Sequence, residues 1–301
     1  MLTGDIHIRD PFVLKHGGVY YLYGSTDKDI WKGPGVGFDA YTSRDLIHWL
    51  GPLPVFRPPE GFWGQRNFWA PEVVLYRGAF YMFASFAGDG FLRGTAVLRA
   101  EHPAGPFLPW SNGAVTPPRW MCLDGTLYID DEKKPWIVFC HEWVQIGDGA
   151  VCAARLADDL SRAVSEPVTL FFSSNAPWSR KAFSPSNSVE GFVTDGCFAH
   201  RTGGGKLLLL WSCVGEKGYC LGYAVSESGG IPGPWRQADA PLFDGDGGHG
   251  MLFGGYSGKL TLALHKPNTT PLERAVFIPL NETEDGLTIA PEGGMGGDAA
   301  N

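Results

Sequence analysis

Short apolar runs of five to seven residues, separated by turns rich in Gly or charged residues, recur along the whole chain. Each copy begins with a polar residue, continues as an apolar strand and a turn, and returns as a second strand that ends in small polar residues, as in 9–25. Apolar runs of this length between turns are typical of β-strands, and helical periodicity is nearly absent. Five copies can be recognised, opened by Asp10, Glu72, Asp124, Asp195 and His249.

Five copies of an antiparallel unit predict a particular all-β architecture. The opening residues are 52 to 71 positions apart, which is room for a four-stranded sheet and its loops. We therefore expect a five-bladed β-propeller, with a two-sheet sandwich as the alternative. The blades are expected to fill residues 1–288 as a single catalytic domain, and the Gly-rich, polar residues 289–301 to form a disordered tail.

Composition and charge exclude several classes of protein. With 44% hydrophobic residues, the chain has enough apolar surface for a packed core, which excludes intrinsic disorder. Its net charge is −8 and no run is rich in Lys or Arg, so nucleic acid is not expected as a partner. No apolar run approaches the roughly 18 residues of a membrane span, so no membrane partner is expected either. A neutral polar substrate fits this composition better.

Two weaker sequence signals bear on the cellular location of the protein. The first residues show no basic segment followed by an apolar one, so no signal peptide is visible and a cytoplasmic location is expected. The six cysteines form no Cys-x-x-Cys pair, and we interpret them as buried, reduced thiols.

The opening residues of the blades should converge in space. The first strand of each copy leaves one face of the ring and the second strand returns to it, so these residues should gather at one mouth of the central channel. A cluster of acidic side chains there is costly, because like charges repel and burial raises carboxyl pKa values. Its repetition in several blades favours a functional site over ordinary turn and cap residues.

Four stretches, in order along nearly the whole chain, resemble glycoside hydrolase family 43. That family contains inverting arabinofuranosidases, xylosidases and arabinanases built on a five-bladed propeller. The matching stretches are Arg9-Asp10-Pro11, Trp69-Ala70-Pro71-Glu72-Val73, the run 123–131 that begins Leu123-Asp124-Gly125, and Gly248-His249-Gly250-Met251.

The resemblance implies roles for three residues. Asp10 matches the family's general base, and Asp124 matches the Asp that orients the general acid and tunes its pKa. His249 matches a channel His that, in many relatives, binds water around a central ion. The resemblance therefore implies a structural calcium in the channel near His249, with no cofactor required for the chemistry.

The general acid is less well defined. The family pattern has Glu-Gly-Pro at the start of the fourth blade, where this chain has Thr194-Asp195-Gly196-Cys197. Three carboxyls compete for the role, namely Asp195 itself, Glu142 and Glu190. Glu142 is favoured because it is expected beside Asp124 and has the longer side chain. Glu190 comes third, because it would need a longer connection into the strand than the other blades show.

Aromatic residues provide candidates for substrate binding. Sugars present C–H faces that stack on aromatic rings, while their hydroxyls need polar partners. Candidates in loops or beside the opening residues are Trp31, Phe68, Trp69 and Trp143. Ordinary packing within a blade is the competing interpretation for each of them.

Inverting hydrolysis needs one carboxylic acid to protonate the leaving oxygen and one carboxylate to deprotonate water on the opposite face of the sugar. The resemblance implies an inverting hydrolase of this type. Our first hypothesis is an exo-acting enzyme that releases a terminal pentose, and the expected cytoplasmic location favours short oligosaccharides over polymer. The first choice of sugar is α-L-arabinofuranose from plant-derived material. The alternatives are a β-xylosidase and a propeller that binds carbohydrate without cleaving it.

Overall fold

Strands make up 55% of the chain and helices 3% in a computed structural model that describes residues 1–284 and 286–291. Five small antiparallel sheets are arranged as a five-bladed β-propeller, so the predicted architecture is confirmed. Each blade is built from consecutive strands that pair in chain order, with the first strand on the channel side.

The first three blades occupy residues 9–172. Blade 1 contains β1 (Arg9–His16), β2 (Val19–Ser25), β3 (Phe38–Ser43) and β4 (Trp49–Phe56). Blade 2 contains β5 (Arg66–Tyr76), β6 (Ala79–Gly88), β7 (Phe91–Ala100) and β8 (Leu108–Pro109). Blade 3 contains β9 (Cys122–Ile129), β10 (Pro135–His141), β11 (Ala150–Arg155) and β12 (Val168–Phe172).

A hairpin of β13 (Lys181–Ser184) and β14 (Val189–Phe192) precedes blade 4. Blade 4 contains β15 (Asp195–Arg201), β16 (Leu207–Gly215), β17 (Gly218–Ser226), β18 (Trp235–Gln237) and β19 (Phe243–Asp244), which also pairs with β17. Blade 5 contains β20 (Gly248–Gly254), β21 (Leu260–Lys266), β22 (Arg274–Thr283) and β23 (Gly286–Ile289). Within residues 1–284 and 286–291, the helical elements are α1 (Trp143–Ile146) and two 3₁₀ turns, Thr3–Asp5 and Ser173–Asn175.

The last strand ends at Ile289, the first residue of the expected tail, and residues 292–301 of that tail lie outside the described part of the chain. Neighbouring blades cover both faces of each sheet, so the hydrophobic core lies between the blades. Every residue of β6 is buried, which explains why this strand is a continuous apolar run rather than an alternating one.

Each first strand is interrupted by a β-bulge close to the mouth of the channel, seen as a shift in its pairing with the second strand. A bulge bends its strand and re-aims the local side chains. The residue before each bulge pairs normally, and these five form the pre-bulge ring: Arg9, Trp69, Leu123, Asp195 and Gly248. The next residue has a φ between 48° and 57°, and these five form the bulge ring: Asp10, Ala70, Asp124, Gly196 and His249.

These rings correct the equivalence expected from the repeat. Asp10, Asp124 and His249 are indeed structural equivalents, but Glu72 lies two residues beyond the bulge position of blade 2. Asp195 lies one residue before the bulge position of blade 4, which is occupied by Gly196.

Hydrogen bonds between blades hold the bulge ring in place. In four blades, the second-strand residue that pairs with the pre-bulge residue uses its side chain to accept the backbone N–H of the bulge residue in the next blade. The donor and acceptor pairs are Ala70 and Ser25 (2.9 Å), Asp124 and Ser85 (2.9 Å), His249 and Ser212 (2.8 Å), and Asp10 and His265 (3.2 Å). Blade 3 has Cys140 at this position, and the N–H of Gly196 donates instead to Asp124 Oδ2 at 2.8 Å.

Candidate active site

A pocket opens at the mouth of the channel, and the two rings supply most of its wall. The pre-bulge ring contributes Arg9, Trp69, Leu123 and Asp195, and the bulge ring contributes Asp10, Asp124 and His249. Three further residues complete the wall: Ile30, Trp31 and Tyr219. The structure therefore brings together four of the five opening residues named by the sequence pattern.

Asp10 is buried and surrounded by groups that favour its charged form. Ser25 Oγ donates a hydrogen bond to Oδ2 at 2.6 Å, and His249 Nδ1 lies 3.1 Å from Oδ1. Burial alone would raise the pKa of Asp10, but the charges of His249 and Arg9 hold it well below its usual value. Asp10 is therefore a carboxylate throughout the neutral range, as a general base must be.

Asp195 is shifted in the opposite direction. Burial, together with the negative charge of Asp124, raises the pKa of Asp195 to about 7. Its Oδ2 accepts a hydrogen bond from Tyr219 Oη at 3.1 Å. Burial and the charge of Asp10 also raise the pKa of Asp124, while His249 opposes that increase. The pocket therefore combines an ionised carboxylate with a carboxyl that can carry a proton near neutral pH.

The two other candidates for the general acid lie outside the pocket wall. Glu142 is buried immediately before α1, where its carboxylate forms an ion pair with Arg93. The guanidinium of Arg93 in turn stacks over Trp69, 4.1 Å from the ring centroid. Glu190 lies on β14 with its side chain 60% exposed, and it forms an ion pair with Lys181 at 3.1 Å.

The aromatic candidates divide into two groups. Trp31 and Trp69 line the pocket, with their ring centroids 5.2 Å apart in an edge-to-face arrangement. The expectation for Phe68 is wrong, because its side chain is 1% exposed and packs against core rings such as Phe86. Trp143 belongs to α1 and packs on the core between blades 3 and 4, so within the described residues it does not form part of the pocket wall.

Four pocket residues were not predicted as site residues, namely the apolar Ile30 and Leu123 and the polar Arg9 and Tyr219. Arg9 was noticed only as part of a motif, but its buried guanidinium forms an ion pair with Glu273 at 2.8 Å and lies over Trp31. Tyr219 lies near the start of β17 and stacks on His265, with centroids 5.6 Å apart. The repeat pattern marks the first two strands of each blade, so a residue on a third strand had no signal of its own.

Glu72 is buried and does not form part of the pocket wall. Burial raises the pKa of Glu72 to about 8, in spite of a hydrogen bond with Thr126 and the charge of His249. No partner for its Oε2 atom is found among the described residues. Glu72 is therefore a neutral carboxylic acid at neutral pH.

The residues around His249 do not fit a calcium site. Calcium binds oxygen ligands, six to eight of them. Within the described residues, no group of three or more His, Cys, Asp or Glu side chains is arranged to hold a metal ion. Burial disfavours a charged His249, but Asp10 and Asp124 raise its pKa to about 9, so the ring is an imidazolium with a proton on each nitrogen. Its positive charge already neutralises the carboxylates that would attract a cation.

Solved structures similar to this one share its fold over nearly its whole length. The structure of an endo-arabinase from Bacteroides thetaiotaomicron VPI-5482 has a TM-score of 0.88 and 40% sequence identity, covering 94% of this chain and 98% of that one. A structure described as an endo-1,4-beta-xylanase from the same organism has a TM-score of 0.74 at 25% identity, covering 95% of each chain.

Curated relatives match a shorter part of the chain. An extracellular exo-alpha-(1->5)-L-arabinofuranosidase of Cellvibrio japonicus is 26% identical over 174 residues, which cover 52% of this chain and 46% of that protein. An extracellular endo-alpha-(1->5)-L-arabinanase of Bacillus subtilis is 22% identical over 45% of this chain and 44% of that protein. The matches thus span less than half the length of these two relatives.

These relatives correct the expected location. Both are described as extracellular, so the expectation of a cytoplasmic protein is wrong. Among the described residues, no helix combines the length and the apolar character needed to cross a membrane.

The family itself is established by a match along most of the sequence. The profile of Glycosyl hydrolases family 43 matches residues 4–288, which is the whole propeller except the last residue of its last strand. The mouth of that propeller carries the carboxyl groups that the resemblance implied. The chain belongs to glycoside hydrolase family 43.

Proposed function

We propose that the protein is an inverting, exo-acting glycoside hydrolase that releases terminal α-L-arabinofuranose from plant-derived oligosaccharides. The observation that carries the proposal is a pair of carboxyls, the buried Asp10 and the half-buried Asp195, which line one pocket and have pKa values shifted in opposite directions. A glycosidase of the inverting type needs this division between an ionised base and a protonated acid.

Asp10 acts as the general base. It takes a proton from a water molecule whose oxygen attacks the anomeric carbon of the bound sugar. The hydrogen bond from Ser25 and the contact with His249 fix the orientation of the carboxylate and keep it ionised. Asp10 also holds a left-handed backbone conformation, with φ of 53°, which anchors it at a defined point of the mouth.

Asp195 acts as the general acid. It gives its proton to the glycosidic oxygen as the bond from that oxygen to the anomeric carbon breaks, so the leaving sugar departs as an alcohol. The hydrogen bond from Tyr219 then stabilises the carboxylate that remains. Asp124 keeps the proton on Asp195 before the reaction, because its negative charge disfavours a second charge close by.

The choice of sugar rests on the pocket wall and on the relatives. Trp31 and Trp69 offer apolar surface for one face of a pentose, and the guanidinium of Arg9 offers donors for its hydroxyls. Relatives described as an arabinofuranosidase and as arabinanases support arabinose. Because some of them are named exo-acting and others endo-acting, the mode of attack must be tested directly.

Hydrolysis assays with matched carboxamide variants test the proposal. Wild type should release arabinose from an α-1,5-linked arabino-oligosaccharide and cleave an aryl α-L-arabinofuranoside faster than an aryl β-D-xyloside. NMR of the first-formed sugar should show the inverted anomer. Asp10→Asn should abolish turnover on both kinds of arabinoside, while binding of the oligosaccharide is retained.

The acid is identified by its dependence on the leaving group. Asp195→Asn should reduce turnover of the oligosaccharide by about 10²–10⁴-fold, but affect an activated aryl substrate much less, because a good leaving group needs little protonation. Glu190→Gln is the matched control and should behave as wild type. If Glu142→Gln shows the leaving-group dependence and Asp195→Asn does not, the role passes to Glu142. Sugar binding without turnover by wild type would establish a carbohydrate-binding propeller instead.

A further inference from the structure

We propose that residues 26–37, here called the strap, close one side of the pocket and thereby restrict the enzyme to chain ends. The strap joins β2 to β3 in blade 1, and it places Ile30 and Trp31 on the pocket wall. The proposal rests on the proposed hydrolase function and adds the part of the chain that decides between exo and endo attack.

The base of the strap is fixed by hydrogen bonds within blade 1. The buried carboxylate of Asp27 accepts the backbone N–H groups of Val36 (2.9 Å) and Gly37 (3.2 Å), which draws the two ends of the strap together. Thr26 Oγ1 accepts the N–H of Asp39 at 3.1 Å. The strap is therefore a closed loop with a defined position.

The middle of the strap is attached to blade 2. Trp69 Nε1 donates to the carbonyl oxygen of Ile30 at 2.7 Å, so the strap and the pocket wall share a direct bond. Gly35 donates its N–H to the carbonyl oxygen of Gln65, also at 2.7 Å. These two bonds close the pocket toward blade 2.

Trp31 attaches the strap to blade 5, on the other side of blade 1. Its Nε1 donates to Thr270 Oγ1 at 3.0 Å, and the Arg9 guanidinium lies 5.0 Å from its ring centroid. Arg9 is itself held by the fully buried Glu273 of blade 5. Trp31 is 48% exposed, so these polar contacts at the edge of the pocket, rather than burial, hold its side chain in place.

The strap therefore spans the mouth from blade 5 across blade 1 to blade 2. A polysaccharide bound by an internal sugar must continue out of the pocket in both directions, and on this side the strap and its partners occupy the path. A terminal sugar needs only one exit. The structure thus favours binding of a chain end, with its last sugar against Trp31 and Trp69.

Product analysis on a six-residue α-1,5-arabino-oligosaccharide labelled at its reducing end tests the inference. Wild type should produce free arabinose and a labelled five-residue product before any shorter labelled fragment. Two variants open the strap: Trp31→Ala, and replacement of residues 28–35 by Gly-Gly, which the close approach of Asp27 to Val36 allows. Each should raise the ratio of short labelled fragments to free arabinose by about tenfold or more. A tenfold change corresponds to about 1.4 kcal/mol in the free-energy difference between binding an internal sugar and binding a terminal one. Trp110→Ala is the matched control, because Trp110 is 39% exposed in a separate groove and should leave the product pattern unchanged.

Each outcome is decisive. Short labelled fragments from wild type at the earliest times would overturn the inference while leaving hydrolase activity intact. Free arabinose as the first product of wild type and of both strap variants would also overturn it, because the exo mode would then not depend on the strap. If wild type cleaves no arabinoside at all, the proposed function fails and the inference fails with it.

Discussion

Replacing His249 by Asn isolates the contribution of one positive charge to the candidate active site. Asn is suited to this position for two reasons. It tolerates the left-handed conformation that His249 adopts, with φ of 51°. Its side-chain N–H₂ can also take the place of His249 Nδ1 as a neutral hydrogen-bond donor to Asp10. The substitution therefore removes the charge while keeping the contact.

The size of the effect follows from the distance between the charges. His249 Nδ1 lies 3.1 Å from Asp10 Oδ1. At that separation, two unit charges interact by about 5 kcal/mol with an effective dielectric constant of about 20, and by about 1.3 kcal/mol in bulk water. Since one pKa unit is about 1.4 kcal/mol, the pKa of Asp10 should rise by about 1–4 units in the variant.

The pH dependence of kcat/KM is the assay. In wild type, the low pKa of Asp10 keeps this proposed base ionised far into the acid range, so activity should persist there. In His249→Asn the acid limb should move to higher pH. The alkaline limb should move in the same direction, because the charge of His249 also lowers the pKa of Asp195. The whole profile therefore shifts upward in pH.

His265→Asn is the matched control. His265 Nδ1 also lies close to Asp10 Oδ1, at 3.6 Å, but burial and the charge of Arg9 lower its pKa to about 3. His265 is thus neutral, and an Asn oxygen can still accept the N–H of Asp10. The acid limb of this variant should stay with that of wild type. An unshifted profile in His249→Asn, or equal shifts in both variants, would refute the electrostatic reasoning.

Three further predictions concern stability and metal dependence. The pKa of Glu72 is raised from 4.5 to about 8, so as pH rises the unfolded chain loses this proton before the folded chain does. Folding stability therefore falls between these pH values, by about 1.4 kcal/mol per pH unit. Glu72→Gln should remove this contribution and flatten the slope in thermal unfolding measured from pH 5 to 9. Gly196→Ala should destabilise the fold by about 1–3 kcal/mol in urea titrations, because φ is 57° and a Cβ would lie 2.7 Å from the His249 ring. Gly205→Ala is the control: φ is 86° but the space around it is open, so this variant should show only the cost of the backbone conformation. Excess EDTA should leave kcat and the melting temperature unchanged, and a loss restored by added calcium would show that a metal site exists around His249 after all.

The propeller could be predicted from the sequence because its signal is repeated. Short apolar strands, turns and an opening polar residue occur five times, and a repeated pattern survives local exceptions. The position of each residue within a bulge was not predictable in the same way. A bulge inserts one residue without changing the apolar pattern, so Glu72 and Asp195 looked equivalent to Asp10 although they lie two residues after and one residue before that position.

The carboxyl groups and the imidazole of the pocket were predictable because they open copies of the repeat. Asp10, Asp124, Asp195 and His249 open copies of the repeat, and the structure brings them together. Tyr219 enters from a third strand, where no pattern marked it. Phe68 shows the opposite error, because an aromatic residue next to a pocket residue on a strand points to the opposite face and packs in the core.

The two rings explain why an Asp can stand where the family pattern has Glu. The two groups proposed for catalysis are divided between the rings, with the proposed base Asp10 in the bulge ring and the proposed acid Asp195 in the pre-bulge ring beside Arg9 and Trp69. The bulge position of blade 4 is Gly196, whose missing side chain leaves room for the His249 ring and whose N–H binds Asp124. This bond connects Gly196, the residue after the proposed acid, to Asp124, whose negative charge raises the pKa of Asp195. A shorter acid is thus held on the pocket wall by the backbone next to it, and Asp195→Glu should lower turnover of an oligosaccharide rather than raise it. Higher turnover with Glu at this position would mean that reach, and not this placement, limits proton transfer.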